Sequence, residues 1–428
     1  MSILIDLTQV RKYQLEVDVD FYDNKEKMKL SKYPNFDEIE KIISNKKILI
    51  PFSEFLTYYL FYKKRQTKLK WSNYQAIKRN IDSALKDLED FVEHNGKSIY
   101  IPKDVQYQVN AISERIGESI GLSLINRIHN LIEADWGKIK EMRGPRAYPT
   151  FDYQIAASDG KRIIHVENKG SSVKDNRKKN AAIYSHYGRI IEKKRKISNA
   201  EKLGSYPYDS NIKYGTITAI DYRNNGLAKC WLLDPPNNFI KINPSKYKLL
   251  TRLNFFREWI SFIFPRSQIS SALATRINSL HKINNPFELD NTQLINSNNE
   301  PFNIKRSTFF YRDLSWFNNK SRVIDEPIGG VVFQISKNRI LFLGIREEII
   351  NLVIKQKFDL INNYKAETGN FFKTVNCVIS KGRLKEFKIP ENIELFSNPH
   401  KNYFSLRAYG NLNFTSGGVV WGVLSLIK

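Results

Sequence analysis

Apolar and polar residues alternate on both sides of one strong turn signal in the middle of the chain. Asp159-Gly160 separates TFDYQIAAS from KRIIHVENKG, and Asp-Gly between alternating runs is typical of a tight β-hairpin. If these two residues form the loop, counting outward sets Asp152 opposite Glu167. Side chains alternate between the two faces of a strand, so Lys169 lies on the same face as Glu167. The pattern therefore predicts a hairpin that carries two acids and a lysine on one face.

The two faces of this hairpin differ in polarity. The charged face also holds Gln154 and His165. The other face holds the residues expected in a core, namely Phe151, Tyr153, Ile155, Ala157, Ile164 and Val166. A slip of one residue would mix the two sets, so the pattern specifies one register.

The segments beside the hairpin have clear patterns of their own. Residues 111–134 carry isoleucine or leucine at every fourth position, which predicts an amphipathic helix. Residues 178–203 predict a basic helix, and the apolar runs 215–222 and 228–233 predict strands. The predicted order is helix, hairpin, helix and strands.

Two carboxylates directly across a β-ladder repel each other, so structure alone gives no reason to pair them. A divalent cation would turn this repulsion into binding, because hard cations such as Mg²⁺ take oxygen ligands. A lysine beside the cation could hold a phosphate or stabilise the charge that develops when a phosphodiester is cut. The hairpin therefore indicates a phosphate-processing metal site.

These residues resemble a known family. Asp152, followed fifteen positions later by Glu167-Asn168-Lys169, is similar to the D…ExK core of the PD-(D/E)xK nuclease superfamily, the restriction-endonuclease-like fold. The proline that usually precedes the aspartate is displaced to Pro149. The resemblance covers roughly residues 112–234, and it implies an α/β protein with a three-layer core around a central mixed sheet.

The resemblance also implies roles for the motif residues. Asp152 and Glu167 would bind Mg²⁺, for which Mn²⁺ can substitute, with the main-chain carbonyl of Asn168 as a further ligand. Lys169 would orient the attacking water or stabilise the pentavalent phosphorane. In-line attack would leave a 5′-phosphate and a 3′-hydroxyl.

A helix before the hairpin often adds an acid to the metal site in this family. Glu118 is the preferred residue for this role, serving a second metal or a metal-bound water, and Glu114 is the reserve. The alternative is that both are solvated glutamates at the edge of the helix.

The motif also has a purely structural interpretation. Glu167 and Lys169 could be an exposed pair on a strand, and Asp152 an acid at a strand start. We favour the catalytic interpretation, because perturbed acid clusters tend to mark functional sites. His165 is expected to be a structural neighbour and not a ligand.

The charge of the chain favours a polyanionic partner. Lys and Arg number 68 against 44 Asp and Glu, a formal net charge of +24, which attracts nucleic acid. Between Lys161 and Lys202, 13 basic residues stand against 4 acidic ones. We expect contacts to DNA from a set of polar and basic residues near the site and from one arginine suited to guanine edges, namely Gln154, Lys174, Arg177, Lys178, Lys179 and Arg407.

Cysteine content and hydropathy indicate the cellular compartment of the protein. Cys230 and Cys377 lie in or near apolar runs and are expected to be buried thiols of a reducing compartment. Neither a secretory signal nor a membrane-spanning run is evident. These features predict a cytoplasmic protein without a membrane partner.

Three modules are expected from the loop signals along the chain. Residues 1–104 predict a mostly helical N-terminal module, residues 105–236 the nuclease-like core, and residues 237–428 a C-terminal α+β module suited to DNA recognition. In the C-terminal module, Arg407, Tyr409 and two asparagines alternate on one strand.

Taken together, the sequence predicts a Mg²⁺-dependent endodeoxyribonuclease acting on double-stranded DNA, as a type II-like restriction enzyme would. The resemblance also raises a homodimer as one assembly, because restriction-like nucleases often dimerise to cut both strands, but nothing in the sequence identifies an interface. Two alternatives stay open, a nuclease subunit of a phage-defence complex and a non-catalytic DNA-binding protein on a nuclease-like fold.

Overall fold

The chain divides into two units, which are described separately here. The first comprises residues 1–5, 13–67 and 77–251, and the second comprises residues 6–12, 68–76 and 252–428. The structure, a computed structural model, describes residues 3–8, 14–33, 35–62, 74–102, 109–139, 149–156, 160–208, 210–222, 226–233, 243–265, 267–302, 310–311, 315–317, 323–325, 327–397 and 403–427.

Helices and strands are interleaved along the first unit. Its strands are β1 (Ile3–Leu4), β2 (Gln14–Phe21), β3 (Lys47–Pro51), β4 (Glu93–His94), β5 (Ile99–Tyr100), β6 (Trp136–Lys138), β7 (Tyr153–Ala156), β8 (Ile163–Val173), β9 (Ile212–Asp221) and β10 (Ala228–Leu233). Its helices are α1 (Asn24–Leu30), α2 (Phe36–Ser44), α3 (Phe52–Phe61), α4 (Tyr74–Phe91, beginning in the second unit), α5 (Val109–His129) and α6 (Ala181–Lys202).

Seven of the described strands form one mixed sheet in the order β3-β2-β10-β9-β8-β7-β6. The neighbouring pairs β8–β9 and β2–β10 are parallel, and the other pairs are antiparallel. Strands β1, β4 and β5 form a separate short sheet in the order β1-β4-β5. The mixed α/β class predicted from the sequence is confirmed.

The local predictions agree closely with these elements. The helix predicted at 111–134 is α5, the basic helix predicted at 178–203 is α6, and the two apolar runs are β9 and β10. The N-terminal segment differs from the expectation of a separate module in residues 1–104. Strands β2 and β3 extend the sheet of the predicted core instead, because β2 pairs with β10 in parallel.

Helix α5 packs against one face of the sheet at very short range. Gly117 and Gly170 meet where α5 crosses β8, and a Cβ on Gly117 would lie 2.5 Å from the Cα of Gly170. A Cβ on Gly121 would overlap the side chains of Asn168 and Thr216. Real side-chain atoms cannot approach backbone this closely. These glycines therefore hold the backbone of the ENKG segment firmly against α5.

Helix α6 covers the opposite face of the sheet through two separate apolar clusters. One includes Ile183 and Ile190 of α6 and side chains of β9 and β10. The other includes Ile197 and Ala200 of α6 together with Phe151. The middle of the sheet therefore lies between two helices, which makes three layers. The stretch of α6 between Ile190 and Ile197 lies between the two clusters.

The second unit is built around an antiparallel sheet. Its strands are β11 (Phe310–Tyr311), β12 (Ser315–Phe317), β13 (Val323–Asp325), β14 (Ile328–Ser336), β15 (Arg339–Arg346), β16 (Gly369–Ser380), β17 (Phe396–Ser397), β18 (Tyr403–Phe414) and β19 (Val419–Leu426). Its helices are α7 (Pro244–Ile263, from residue 252 onward), α8 (Gln268–Lys282), α9 (Glu347–Ile354) and α10 (Phe358–Asn363). The described strands pair in the order β11-β14-β15-β19-β18-β16, and β17 pairs with β18.

Strands β14 and β15 form a hairpin, and the two short helices α9 and α10 follow it. Cys230 and Cys377 are buried and free, as expected. None of the helices in the described part of the chain has both the length and the apolar character needed to cross a membrane.

Candidate active site

The hairpin register predicted from the turn signal is confirmed. Tyr153 pairs with Val166 and Ile155 with Ile164, as the count from the turn predicts, but the ladder ends before Asp152, whose main-chain N–H donates to the carbonyl of Val166. Residues 157–159, including the predicted Asp of the turn, lie outside the described residues. Asp152 itself lies one position before β7, at the point where that strand starts.

Glu167 is the centre of the site. It lies on the face of β8 that α6 covers, and it is completely buried. Its Oε1 is 2.5 Å from Nζ of Lys169 and 2.6 Å from Nζ of Lys193. Its other oxygen, Oε2, is buried and has no hydrogen-bond partner among the described residues. A carboxylate is therefore held at one oxygen by two cations while the second oxygen keeps its acceptor capacity.

Asp152 brings a second carboxylate to the same place. Its Oδ2 accepts a hydrogen bond of 3.2 Å from the main-chain N–H of Asn168, the residue after Glu167. In an extended strand the N–H and C=O of a residue point toward the same neighbour. The carbonyl of Asn168 therefore points to the side of β8 on which Asp152 lies. The side chain of Asn168 points toward α5 and accepts a hydrogen bond from Thr216.

Burial and charge set the protonation of this cluster. Burial and the neighbouring carboxylate of Asp152 raise the pKa of Glu167 above its usual 4.5, against the opposing effect of the two lysines. Burial lowers the pKa of Lys169, but Glu167, Asp152 and Glu114 raise it by more, so the net shift is upward from 10.5. Lys169 therefore stays protonated at neutral pH and is suited to stabilise negative charge, not to accept a proton.

The structure does not bring Glu118 to this cluster. Tyr153 faces α5, because it pairs with Val166 on the side of β8 opposite Glu167, and its hydroxyl donates a hydrogen bond to Oε1 of Glu118. Glu118 is buried on that side of the sheet. Glu114, the reserve, is exposed one helical turn earlier, and its charge raises the pKa of Lys169. Of the two glutamates, Glu114 is the one that acts on the cluster electrostatically.

Lys193 is a member of the cluster that sequence reasoning missed. In the sequence it stands in the run EKKRK of the predicted basic helix, with nothing local that links it to the motif. In the structure its Nζ also donates to the main-chain carbonyl of Thr150 at 3.0 Å, just before Asp152. A signal was present, because Lys193 follows Ile190 by three residues and precedes Ile197 by four, the spacing of a buried helix stripe.

A further polar pair continues the row along β8. Ser171, two residues after Lys169 on the same face, lies with its Oγ 2.7 Å from Nε2 of His186 on α6. Burial lowers the pKa of His186, as do the nearby charges of Lys169 and Arg189. His186 is therefore neutral at neutral pH and adds hydrogen-bonding capacity beside Lys169.

The other predicted site residues have different surroundings. His165 is completely buried, and its ring centroid lies 6.4 Å from that of Phe151. Phe151 therefore lies on the α6 side with His165, and not with Tyr153 as the alternation predicts, because it precedes the start of β7.

The residues expected to contact DNA also differ among themselves. Lys174, Arg177 and Lys178 are exposed between β8 and α6, with Arg177 paired to Asp175 at 3.2 Å. Lys179 is engaged elsewhere, with its Nζ 4.1 Å from the ring centroid of Tyr22. Arg407 is exposed on β18. Gln154 lies in β7 opposite His165, and its side chain is outside the described part of the structure.

The donor set suits a hard divalent cation. The carboxylates of Asp152 and Glu167 lie close enough to interact, and Glu167 Oε2 is a buried acceptor of the kind such ions bind. Within the described residues, no group of three or more His, Cys, Asp or Glu side chains could hold a metal ion. A cation here would therefore depend on Asp152, Glu167, the carbonyl of Asn168 and water, which is normal for Mg²⁺.

In comparisons with known proteins, no family model, no curated protein and no solved structure matches the chain.

Proposed function

We propose that this chain is a metal-dependent endodeoxyribonuclease, acting on double-stranded DNA in the cytoplasm as a type II-like restriction enzyme. One observation carries the proposal. A buried carboxylate, Glu167, has a second carboxylate as its neighbour, has one oxygen without a hydrogen-bond partner among the described residues, and has a protonated lysine two residues along the same strand. This arrangement fits the D…ExK motif of the PD-(D/E)xK superfamily, to which we propose the fold belongs.

Different residues of the chain would bind the metal ion, bind the phosphate and position the metal ligand. Asp152 and Glu167 would hold Mg²⁺ together with the carbonyl of Asn168, and the ion would supply Lewis-acid stabilisation of the phosphate and a more acidic water. Lys169, kept protonated by its neighbours, would bind the scissile phosphate and stabilise the charge that develops on it. Lys193 would position Glu167, because its ammonium group also binds the carbonyl of Thr150.

Charge favours DNA as the partner of this site. Lys174, Arg177 and Lys178 are exposed next to it, and the whole chain carries a net charge of +24. Lysine and arginine that neutralise phosphates release counterions, so binding is expected to weaken steeply with salt.

Cleavage of supercoiled plasmid with Mg²⁺ tests the proposal. Asp152→Asn, Glu167→Gln and Lys169→Met should each abolish cutting while leaving DNA binding largely intact. The matched control is Glu192→Gln, which removes an exposed acid of α6 that pairs with Lys196, and it should cut as the parent does. If Glu167→Gln or Lys169→Met cuts at the parent rate, the assignment is wrong.

Metal binding without DNA gives an independent readout. Titration calorimetry with Mn²⁺ should show binding to the parent and to Glu192→Gln, and much weaker binding to Asp152→Asn and Glu167→Gln. A chain that binds DNA in a salt-dependent way but neither binds Mn²⁺ nor cuts would be a non-catalytic DNA-binding protein. Cutting that requires an added second protein would identify a subunit of a defence complex.

A further inference from the structure

One face of the second unit's sheet carries exposed aromatic side chains. Strands β16 and β18 pair over their whole length, with Thr374 opposite Tyr409 and Asn376 opposite Arg407. Alternate residues of both strands, such as Val375 and Leu406, belong to a buried core. The residues between them point the other way. We call this outward surface, made of Phe372, Thr374, Asn376, Phe396, Arg407 and Tyr409, the aromatic face.

The exposure of its rings is unusual for the wet side of an antiparallel sheet, which is normally polar. Phe372 is 55 % exposed, Tyr409 is 39 % exposed and Phe396 is 46 % exposed. The rings of Phe372 and Tyr409 meet edge to face, with centroids 5.7 Å apart and an interplanar angle of 64°. Single exposed apolar residues need no explanation, but a group on one face indicates a binding surface.

The open area has a clear limit along β18. The next two residues of the same parity, Asn411 and Asn413, were grouped with Arg407 and Tyr409 on the sequence pattern. Both are buried, and Asn411 donates a hydrogen bond to the main-chain carbonyl of Thr8. The accessible part of the strand is therefore the half that holds Arg407 and Tyr409.

The polar members of the aromatic face narrow the class of ligand. Arg407, Asn376 and Thr374 are exposed beside the rings. The outward positions of β16 and β18 contain no aspartate or glutamate. In residues 252–428 the sequence has 24 Lys and Arg against 14 Asp and Glu. Aromatic rings set among cationic and amide groups, on a basic unit, match the chemistry of nucleobases joined by phosphates.

The shape of the surface selects unpaired bases. A helix or a two-stranded ribbon fits the major groove of duplex DNA, but a sheet in which β16, β18 and β19 lie side by side is too broad to enter it. Bases in a duplex also hide their flat faces in the stack, whereas single strands offer them to aromatic rings.

We propose that the aromatic face binds single-stranded nucleic acid, with unpaired bases stacked on Phe372 and Tyr409 and with Arg407 contacting a phosphate or a base edge. This site goes beyond the proposed nuclease activity and would bind in the absence of any cutting. In a nuclease, it would hold displaced or unpaired nucleotides of the substrate.

The test measures binding by the full chain in EDTA, where cleavage cannot interfere. Fluorescence anisotropy with labelled twenty-residue oligo-dT, oligo-U and a duplex of the same length reports the three affinities. Phe372→Ala and Tyr409→Ala should each weaken single-strand binding at least about fivefold, because a base stacked on an aromatic ring loses that contact. The double variant should lose at least about 25-fold, and duplex binding should change by less than about twofold.

Controls separate stacking from loss of fold. Leu360→Ala removes another exposed apolar side chain of the same unit, 56 % exposed on α10, and should bind as the parent does. Tyr409→Phe keeps the ring and should retain affinity. Arg407→Gln should reduce the slope of log affinity against log salt by about 0.7, the value for one phosphate contact on a single strand.

The outcomes distinguish this inference from the nuclease proposal. A stronger effect on oligo-dT or on oligo-U identifies DNA or RNA as the ligand, and either result supports the site. If the double variant binds both oligonucleotides as Leu360→Ala does, the proposal is refuted. It is also refuted if duplex binding falls equally, or if the double variant loses only self-association in sedimentation, which would identify the face as a contact between copies of the chain. Plasmid cutting by Phe372→Ala/Tyr409→Ala bears on neither result.

Discussion

The two lysines that contact Glu167 allow an experiment that distinguishes a role in stability from a role in catalysis. Lys169 and Lys193 lie 2.5 Å and 2.6 Å from the same oxygen, and their side chains are 24 % and 26 % exposed. Substitution of either by Met removes the charge and keeps much of the aliphatic stem. Each variant therefore loses one ion pair with the same oxygen of Glu167, at nearly the same distance and exposure.

The cost to stability follows from three opposing contributions. At an effective dielectric constant of about 20, each ion pair contributes roughly 6 kcal/mol of attraction. Both nitrogens lie within 2.6 Å of one oxygen, so they are at most about 5 Å apart and repel each other by about 3 kcal/mol. Burying a lysine costs a further couple of kcal/mol or so. Either Met variant should therefore lower the free energy of unfolding by only about 1 kcal/mol, because Glu167 keeps one cation.

Urea unfolding and single-turnover cleavage together provide the assay. The two Met variants should agree in unfolding free energy within about 0.5 kcal/mol, and Glu167→Gln should lose about 3 kcal/mol because the two cations then face each other without the acid. Cleavage should fall at least about 10²-fold in Lys169→Met, which loses a preorganised charge at the phosphate. Lys193→Met should lose less than about tenfold. Equal loss of activity in the two variants would refute the division of roles between the lysines.

Further predictions concern the groups around the cluster. Glu118→Gln should keep cleavage within about twofold and cost about 1 kcal/mol of stability, because Glu118 accepts its bond from Tyr153 on the other side of the sheet; a tenfold loss of cleavage would contradict this placement. Glu114→Gln should lower the pKa of Lys169, since Glu114 raises it, and the alkaline limb of the pH–rate profile should move to lower pH. Lys213 is completely buried, and its Nζ lies 2.7 Å from Oε1 of Glu201. Lys213→Met should lower the free energy of unfolding by about 3 kcal/mol, and Lys213→Met/Glu201→Gln should recover much of that loss. Burial lowers the pKa of Lys213 below 10.5 despite Glu201, so just below that pH the unfolded chain binds more protons than the folded chain does. The free energy of unfolding of the parent should therefore increase as the pH rises toward about 10. Urea titrations of Lys213→Met should lack this increase.

The hairpin could be predicted from the sequence because its information is local. A turn signal and an alternation of period two decide which residues pair and which share a face. Tyr153 opposite Val166 follows from that count alone, and the structure has this pair. Asp152, one residue before the ladder, lies beside the motif through the bond that it accepts from the N–H of Asn168.

The surroundings of the motif depend on contacts that are distant in sequence, and these could not be predicted. The alternation shows which residues share the charged face but not that Glu167 and His165 are completely buried there, because α6 returns across that face. The pairing of β2 with β10 joins segments about two hundred residues apart, and nothing in the alternation of residues 14–21 identifies the partner strand.

The two helix glutamates could not be distinguished from the sequence for a geometric reason. Glu114 and Glu118 are one turn apart on α5, so any periodicity that places one near the sheet places the other near it too. The decisive facts are where β8 passes the helix, at Gly117 and Gly170, and that Tyr153 offers its hydroxyl to Glu118. Neither can be obtained from spacing along a single segment.

The position of the charged cluster within the core also bears on its role. Glu167 and Lys193 lie between two apolar clusters under α6, one with Ile190 and one with Ile197. Apolar residues at these positions would join the two clusters into one, and buried ion pairs replaced in this way often leave a protein as stable or more stable. A structural ion pair would also be expected to satisfy both oxygens of the acid, because an unsatisfied buried acceptor costs about 1–3 kcal/mol. Folding energetics therefore gives no reason for a carboxylate that has Asp152 beside it and an Oε2 that no described residue satisfies, whereas binding a cation does.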